Sequence, residues 1–377
     1  MRGGAWKASR VKRDTPGRGL VAAVLTIAVA GLLLTACRAD RMAATPAVAT
    51  GSIDCGGNKM LTAEGSTAQR NAIALFSQAW SQMCPGKGLS YNPTGSGAGR
   101  KQFIAGNVDF AGSDSPLTTE QTGPAAKRCM GNPAWDLPLV FGPVALAYNL
   151  SGVSTLVLNA DVLAKIFRGA ISRWNDPAIT GLNPGVALPD AKITPIYRSD
   201  SSGTTDNFQQ YLSAAAPKSW TKGSGTEFQG GVGQGADQSS GLIQAVRVTP
   251  GAIGYVEEGY AAGVPFAQIS TGGGAVPLTD KTARKAIDAA KFADKSNDLR
   301  LDLHALYASN EPGAYPLVLA SYEIVCSKGY QQKTSAAVKS FMSAAATDGH
   351  EYLSAAGYIP LPDRFKQRLI AVIDQIE

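Results

Sequence analysis

From residue 59 onward, short apolar runs alternate with segments in which apolar residues recur every three or four positions. Residues 59–63 predict a strand. In 68–83, Ile73, Phe76, Trp80 and Met83 fall on one face of a helix. Residues 89–92 predict a strand, 100–105 a short helix and 107–111 another strand. Helices are expected over 161–168, 204–214, 242–248 and 333–345, and strands over 193–198 and 254–257. The glycine-rich stretch 223–235 predicts a surface loop. This alternation predicts an α/β fold with helices on the faces of a sheet. Two apolar runs exceed an ordinary strand: 137–148, interrupted by Gly142 and Pro143, and 315–326, YPLVLASYEIVC. Each fits either a plain buried strand or one that crosses between two lobes, and the pattern prefers neither. No repeat of fixed period is evident.

Composition changes the picture at the N-terminus. The 377 residues are 44% hydrophobic and 17% charged, enough for a core, and the formal net charge is +6. Residues 1–36 hold Arg2, Lys7, Arg10, Lys12, Arg13 and Arg18 against one acidic residue, whereas 37–377 are almost balanced. The basicity therefore belongs to a leader, and no footprint for nucleic acid remains. The leader continues into the apolar run LVAAVLTIAVAGLLLTA and ends at Cys37. A basic stretch, an apolar stretch and small residues before a Cys resemble a bacterial lipobox. Residues 1–36 are expected to be a signal peptide, with lipid on Cys37 and 37–56 as a tether. A membrane anchor is the alternative, but the run is short for one.

Four cysteines remain after Cys37: Cys55, Cys84, Cys129 and Cys326. In an exported chain an even number predicts two disulfides, and three pairings are possible. No CxxC or HxxxH spacing supports a metal site, and the only histidines are His304 and His350.

Three loops rich in Gly, Ser and Thr lie between predicted strands and helices. They are Gly65-Ser66-Thr67, the run from Thr94 to Gly99, and the run from Ser199 to Thr205. The first turn of a helix presents free N–H groups and the positive end of its dipole. Glycine allows close approach, and hydroxyls add donors, so such loops suit a tetrahedral oxyanion. One such loop alone reads as a helix cap; three together favour anion binding. Arg198 precedes the third loop and can give two donors to an oxyanion; Asp200 stands where it could orient that guanidinium. A surface ion pair is the plainer alternative. Asp114, in GSDSP after the strand at 108–111, is a turn residue by type. Beside an anion it acquires another meaning. A carboxylate accepts hydrogen bonds, so it repels sulfate but can accept the proton of hydrogen phosphate.

The motifs GSTAQ from Gly65, TGSGAGRKQFIAGNVDFAGSDSPL from Thr94, FRGAISRWNDPAI from Phe167, RSDSSGTTDNF from Arg198 and PGAIGYVE from Pro250 resemble the phosphate-binding component of the phosphate-specific ABC transporter, in its lipoprotein form. The resemblance runs from about Lys59 to the C-terminus. It implies a two-lobed periplasmic-binding-protein-like fold of type II, with two hinge-crossing strands and a cleft between lobes. One lobe would comprise 57–140 and 317–377, the other 141–316. Carried over by position, the phosphate contacts are Ser66, Thr67, Ala68, Ser96, Asp114, Arg198, Ser202, Gly203 and Thr204, with Asp200 tied to Arg198. Ala68 stands where some relatives carry a bulkier apolar residue. The cysteines match only a subset of the family, and the resemblance leaves their pairing open; Cys55 precedes the first strand and Cys84 ends the first helix, so Cys55–Cys84 and Cys129–Cys326 are the expected bonds. The implied protein is a monomeric binder, not an enzyme, with no cofactor beyond its phosphate ligand. It would be lipid-anchored on the extracytoplasmic face of the cell membrane and serve the permease subunits of an ABC importer. The competing expectations are a binder of another tetrahedral oxyanion, a surface sensing or adhesion lipoprotein, and a phosphatase.

Overall fold

The computed structural model describes residues 53–377. The expected signal peptide, Cys37 and most of the expected tether lie outside them. In the first part, β1 (Met60–Gly65), α1 (Arg70–Met83), β2 (Gly88–Pro93), α2 (Ser96–Ala105), β3 (Phe110–Ser113) and α3 (Thr119–Arg128) alternate before the long β4 (Ala134–Tyr148). Next come β5 (Val157–Asn159), α4 (Ala160–Phe167), α5 (Pro177–Thr180), β6 (Thr194–Arg198), α6 (Gly203–Ala215), β7 (Gln234–Ala236), α7 (Gln238–Val248) and β8 (Ala252–Glu257). Strands β9 (Gln268–Ser270) and β10 (Ala275–Val276) and helices α8 (Asp280–Ala289) and α9 (Leu303–Tyr307) lead to the long β11 (Val318–Cys326). Helices α10 (Gln332–Ala346) and α11 (Asp363–Ile373) close the chain.

The main sheet has the order β2-β1-β3-β11-β4-β8-β6-β7, and a small sheet has the order β10-β9-β5. At one end β1 pairs in parallel with β2 and β3. At the other, β6 pairs in parallel with β7 and β8. The two ends meet through β4 and β11, which run antiparallel. Strand β4 pairs with β11 from Ala134 to Pro143 and with β8 from Val144 to Tyr148. A single strand thus belongs to both parallel ends, and its partner changes where Gly142 and Pro143 interrupt the run. Proline supplies no amide donor, so a change of partner there is inexpensive.

The predicted helix faces are the buried ones. In α1, Ile73, Phe76 and Trp80 are buried. They meet α10, where Val338, Phe341, Met342 and Ala345 point inward; the Trp80 and Phe341 rings pack edge to face at 5.5 Å. In α6, Phe208, Tyr211 and Leu212 are buried, with Phe208 between Phe167 at 4.7 Å and Tyr255 at 4.5 Å. Burial of each such side chain contributes about 1.5–3 kcal/mol. The cysteines are joined as Cys55–Cys84 and Cys129–Cys326, the expected pairing.

Several expected boundaries move; α7 begins at Gln238 rather than at 242, and β4 at Ala134 rather than at 137. Helix α2 begins at Ser96, not at 100. Its glycines are there for contact: a Cβ on Gly99 would stand 2.5 Å from the Glu64 carbonyl oxygen, and one on Gly97 would stand 1.9 Å from Ser201 Oγ. Strand β3 covers Phe110–Ser113 rather than 107–111. Asp109 takes the Thr62 amide with its side chain at 2.7 Å, and ladder pairing starts beyond it. The stretch 223–235 is largely loop, but Gln234–Ala236 adds an edge strand beside β6.

Candidate functional site

Three helices begin near one another. Gly65 ends β1 at φ +148°, and a Cβ there would lie 1.9 Å from the Gly112 carbonyl oxygen. Only glycine fits, and the chain turns into Ser66, Thr67 and α1. The Gly95 amide donates to the Gly65 carbonyl at 2.8 Å, setting the second loop beside the first. The Gly97 amide donates to the Ser201 carbonyl at 3.0 Å, which joins the second loop to the third. Ser202 caps α6 by accepting from the Thr205 amide at 3.2 Å. The N-termini of α1, α2 and α6 therefore share one region, and their dipoles favour a negative charge there.

Asp114 lies at its centre, just past β3, and is 1% exposed. Ser66 Oγ lies 2.7 and 2.6 Å from its two carboxylate oxygens as their donor. Ser321 Oγ donates to the carboxylate at 2.7 Å and Ser96 Oγ at 3.2 Å. Ser96 Oγ also accepts from the Asp114 amide at 3.0 Å. Burial is the main cause that pushes the Asp114 pKa up to about 6; the charge of Glu257 adds to it, and the serine hydroxyls oppose it. The carboxyl is thus easily protonated for a carboxylate, yet surrounded by donors.

Arg198 ends β6 and is 3% exposed. Its Nε donates to Asp200 at 2.6 Å, and its Nη2 is paired with the same carboxylate. This is a buried pair, not a surface one. Burial alone would lower the Arg198 pKa, but Asp200 outweighs it and holds the guanidinium above its ordinary value. Arg198 Nη1 donates to Ser239 Oγ at 3.1 Å, and Ser239 shares a 2.8 Å hydrogen bond with Thr67 Oγ1. Thr204 Oγ1 donates to Glu257. Gly203 abuts Ser96 and Asp114 so closely that a Cβ on it would lie 2.5–2.9 Å from them. The Ala68 amide donates to Ser66 Oγ at 3.0 Å, and the Ala68 carbonyl accepts from Tyr358 at 2.6 Å.

Every predicted site residue therefore lies in or against this cluster. Sequence reasoning missed Ser239, Ser321, Glu257 and Tyr260. Ser321 is hidden inside the apolar run of β11, and Ser239 opens a helix far from the three loops. Glu257 ended a quoted motif and so carried a usable signal. Tyr260, whose hydroxyl donates to the Thr67 carbonyl at 2.9 Å, carried none. Neither histidine is hydrogen-bonded to Asp114 or Arg198: His350 Nδ1 accepts from the Leu361 amide, and its ring stacks on Phe76. Among the described residues no group of three or more His, Cys, Asp or Glu could hold a metal ion, and no helix is long and apolar enough to cross a membrane.

Helix N-termini, hydroxyls, one buried cation and one buried acceptor, set where a shared strand joins two parallel half-sheets, define a binding protein for a small oxyanion. A PBP superfamily domain model matches residues 42–348. The phosphate-binding protein PstS 3 of Mycobacterium tuberculosis (strain ATCC 25618 / H37Rv) is 46% identical over 363 residues, covering 94% of this chain and 98% of that one. PstS 2 of the same organism is 47% identical with the same coverage. Among solved structures, a high-affinity periplasmic phosphate-binding protein (PfluDING) bound with phosphate superposes with a TM-score of 0.67 at 22% identity, covering 83% of this chain and 93% of that one; it supports the fold. The chain belongs to the PBP superfamily and, within it, to the family of PstS phosphate-binding proteins.

Proposed function

We propose that this protein binds inorganic phosphate outside the membrane and delivers it to the permease subunits of an ABC importer. The single observation that carries this reading is Asp114: a buried carboxylate, ringed by Ser66, Ser96 and Ser321, among three helix N-termini. A binder of fully ionised oxyanions gains nothing from an acceptor at that place. A binder of protonated phosphate does, because the ligand's O–H donates to it. Amides and hydroxyls at Ser66, Thr67, Ala68, Ser96, Ser202, Gly203 and Thr204 hold the ligand's unprotonated oxygens. Arg198, oriented by Asp200, supplies the charge. Each neutral hydrogen bond nets about 1 kcal/mol and each charged one about 1.5–3. Micromolar affinity, about −8.2 kcal/mol, therefore needs only a fraction of them to be realised in full.

In this reading 57–140 with 317–377 forms one lobe and 141–316 the other. Asp114 and Ser66 belong to the first, Arg198 and Gly203 to the second, so the ligand favours the closed arrangement. The protein acts as a monomeric binder and not as a catalyst, with lipid on Cys37 holding it at the outer face of the cell membrane. The chemistry of the cluster supports binding: its groups are hydrogen-bond donors and acceptors suited to an oxyanion, and among the described residues no group of three or more His, Cys, Asp or Glu could hold a metal ion. The test is calorimetric titration of anion-stripped protein with phosphate and then sulfate. One-to-one phosphate binding without a sulfate response is expected. A folded sample indifferent to phosphate would overturn the reading.

A further inference from the structure

Glu257 ends β8 opposite Val144, at the part of β4 that has left β11. Its side chain is 1% exposed. One carboxylate oxygen accepts from Thr204 Oγ1; the other, Oε2, is buried without a hydrogen-bond partner. A buried acceptor left unpaired costs about 1–3 kcal/mol, and more when charged, so its donor is worth finding. The ionisable groups that feel Glu257 are Asp114, Arg198, Tyr260 and Tyr358. Both tyrosine hydroxyls are committed, to the carbonyls of Thr67 and Ala68. Arg198 is engaged with Asp200 and Ser239. Asp114 accepts and already collects three serine hydroxyls. Thr204, Asp114 and Arg198 belong to the anion site, so Glu257 borders it.

We propose that Glu257 is a second proton acceptor of the phosphate site, and that the site selects the phosphate ion carrying two protons. The inference rests on the phosphate reading above. Its logic is charge and proton count. The Arg198 charge is largely matched by Asp200, which leaves the carboxylates of Asp114 and Glu257 facing the ligand. A dianion set against two carboxylates is repelled by both. The monoanion H2PO4− carries two O–H groups, one for each acceptor, and its two other oxygens face the helix N-termini. Thr204, which donates to Glu257, fixes the direction of its free oxygen.

The experiment is calorimetry of phosphate binding to the whole protein at pH 8 and pH 9, in buffers of different ionisation enthalpy. Free phosphate is then mainly the dianion and Asp114 is ionised, so selecting H2PO4− requires uptake of about one proton per phosphate bound, and affinity falls about tenfold from pH 8 to pH 9. In Glu257→Gln the amide donates to an unprotonated phosphate oxygen instead. Proton uptake is expected to fall toward zero and the pH slope to flatten. Wild type that binds phosphate without proton uptake overturns the proposal, and needs no variant to do so. A variant that binds more weakly but keeps the same uptake and slope also overturns it, and reduces Glu257 to a support for Thr204. Absence of phosphate binding by wild type would instead strike the reading on which the proposal rests, and this inference with it.

Discussion

Gly203 offers a test of how tightly the two sides of the cluster meet. It is the first residue of α6, capped by Ser202, and its backbone is not in the left-handed region. Alanine is therefore conformationally acceptable there and a better helix former by up to about 1 kcal/mol. Yet a Cβ would lie 2.5 Å from Ser96 Oγ, 2.6 Å from Asp114 Cβ and 2.9 Å from Asp114 Oδ2. Ordinary contact begins near 3.4 Å, so α6 and the Asp114 segment must separate by up to about 1 Å. Overpacking of this kind costs about 1–3 kcal/mol. If the cost falls on the closed, ligand-holding arrangement, Gly203→Ala weakens phosphate binding about 5- to 150-fold, at 1.4 kcal/mol per decade. In the proposed two-lobe arrangement the ligand-free protein relieves the contact by opening, so its melting temperature should be unchanged or slightly raised. Titration calorimetry and thermal melting without ligand separate the two effects. Affinity within twofold of wild type would refute the reasoning, and so would a large loss of ligand-free stability.

Asp114→Asn should retain phosphate binding while narrowing its preference over sulfate by at least about tenfold, since an amide can donate where the carboxylate only accepts; competition titration measures it, and undiminished rejection of sulfate would place specificity elsewhere. Asp136, buried on β4, accepts from the Leu117 amide and receives Asp298 against its own amide at 2.7 Å. Burial first, and then Asp298, holds its pKa well above the ordinary carboxylate value. The folded state therefore keeps a proton that the unfolded chain releases above about pH 4. Stability from this pair is lost as pH rises from there through the folded pKa. Asp136→Asn should thus raise the melting temperature more at pH 8 than at pH 5, and equal shifts would contradict the assignment. The Cys129–Cys326 bond spans 197 residues of sequence and Cys55–Cys84 spans 29. The loop-entropy relation gives about 5 and about 3.6 kcal/mol. Denaturant unfolding of the two double-serine variants should rank them in that order.

The elements that were legible in the sequence are those whose pattern is set by one dominant neighbour. Helix α1 has a single buried face, and β4 and β11 are buried along almost their whole length, so periodicity or its absence revealed them. The start of α2 was not legible, because Gly97 and Gly99 read as loop residues until the atoms they accommodate are known. The sequence pattern as read predicts no helix at α3, α5, α8, α9 or α11, although α11 repeats Phe365, Leu369, Val372 and Ile373 at helical spacing and so carries a usable signal. The site loops were visible because anion chemistry needs Gly, Ser and Thr together. Ser239 and Ser321 were not, since a lone serine acquires its role only when the sheet brings it to Arg198 or Asp114.

The bond between Cys129 and Cys326 makes everything from residue 130 to residue 325 a ring closed by one covalent link. Strands β5 to β10, Arg198, Gly203 and Glu257 all lie within that ring, whereas β1 and the whole of α10 lie outside it. A protease that nicks any exposed loop between those cysteines therefore produces no free fragment: the cut molecule remains a single covalent species until it is reduced. In an oxidising compartment, where such bonds persist, damage to the arginine-bearing side of the site would leave the protein at full mass, visible only as two bands after a thiol is added.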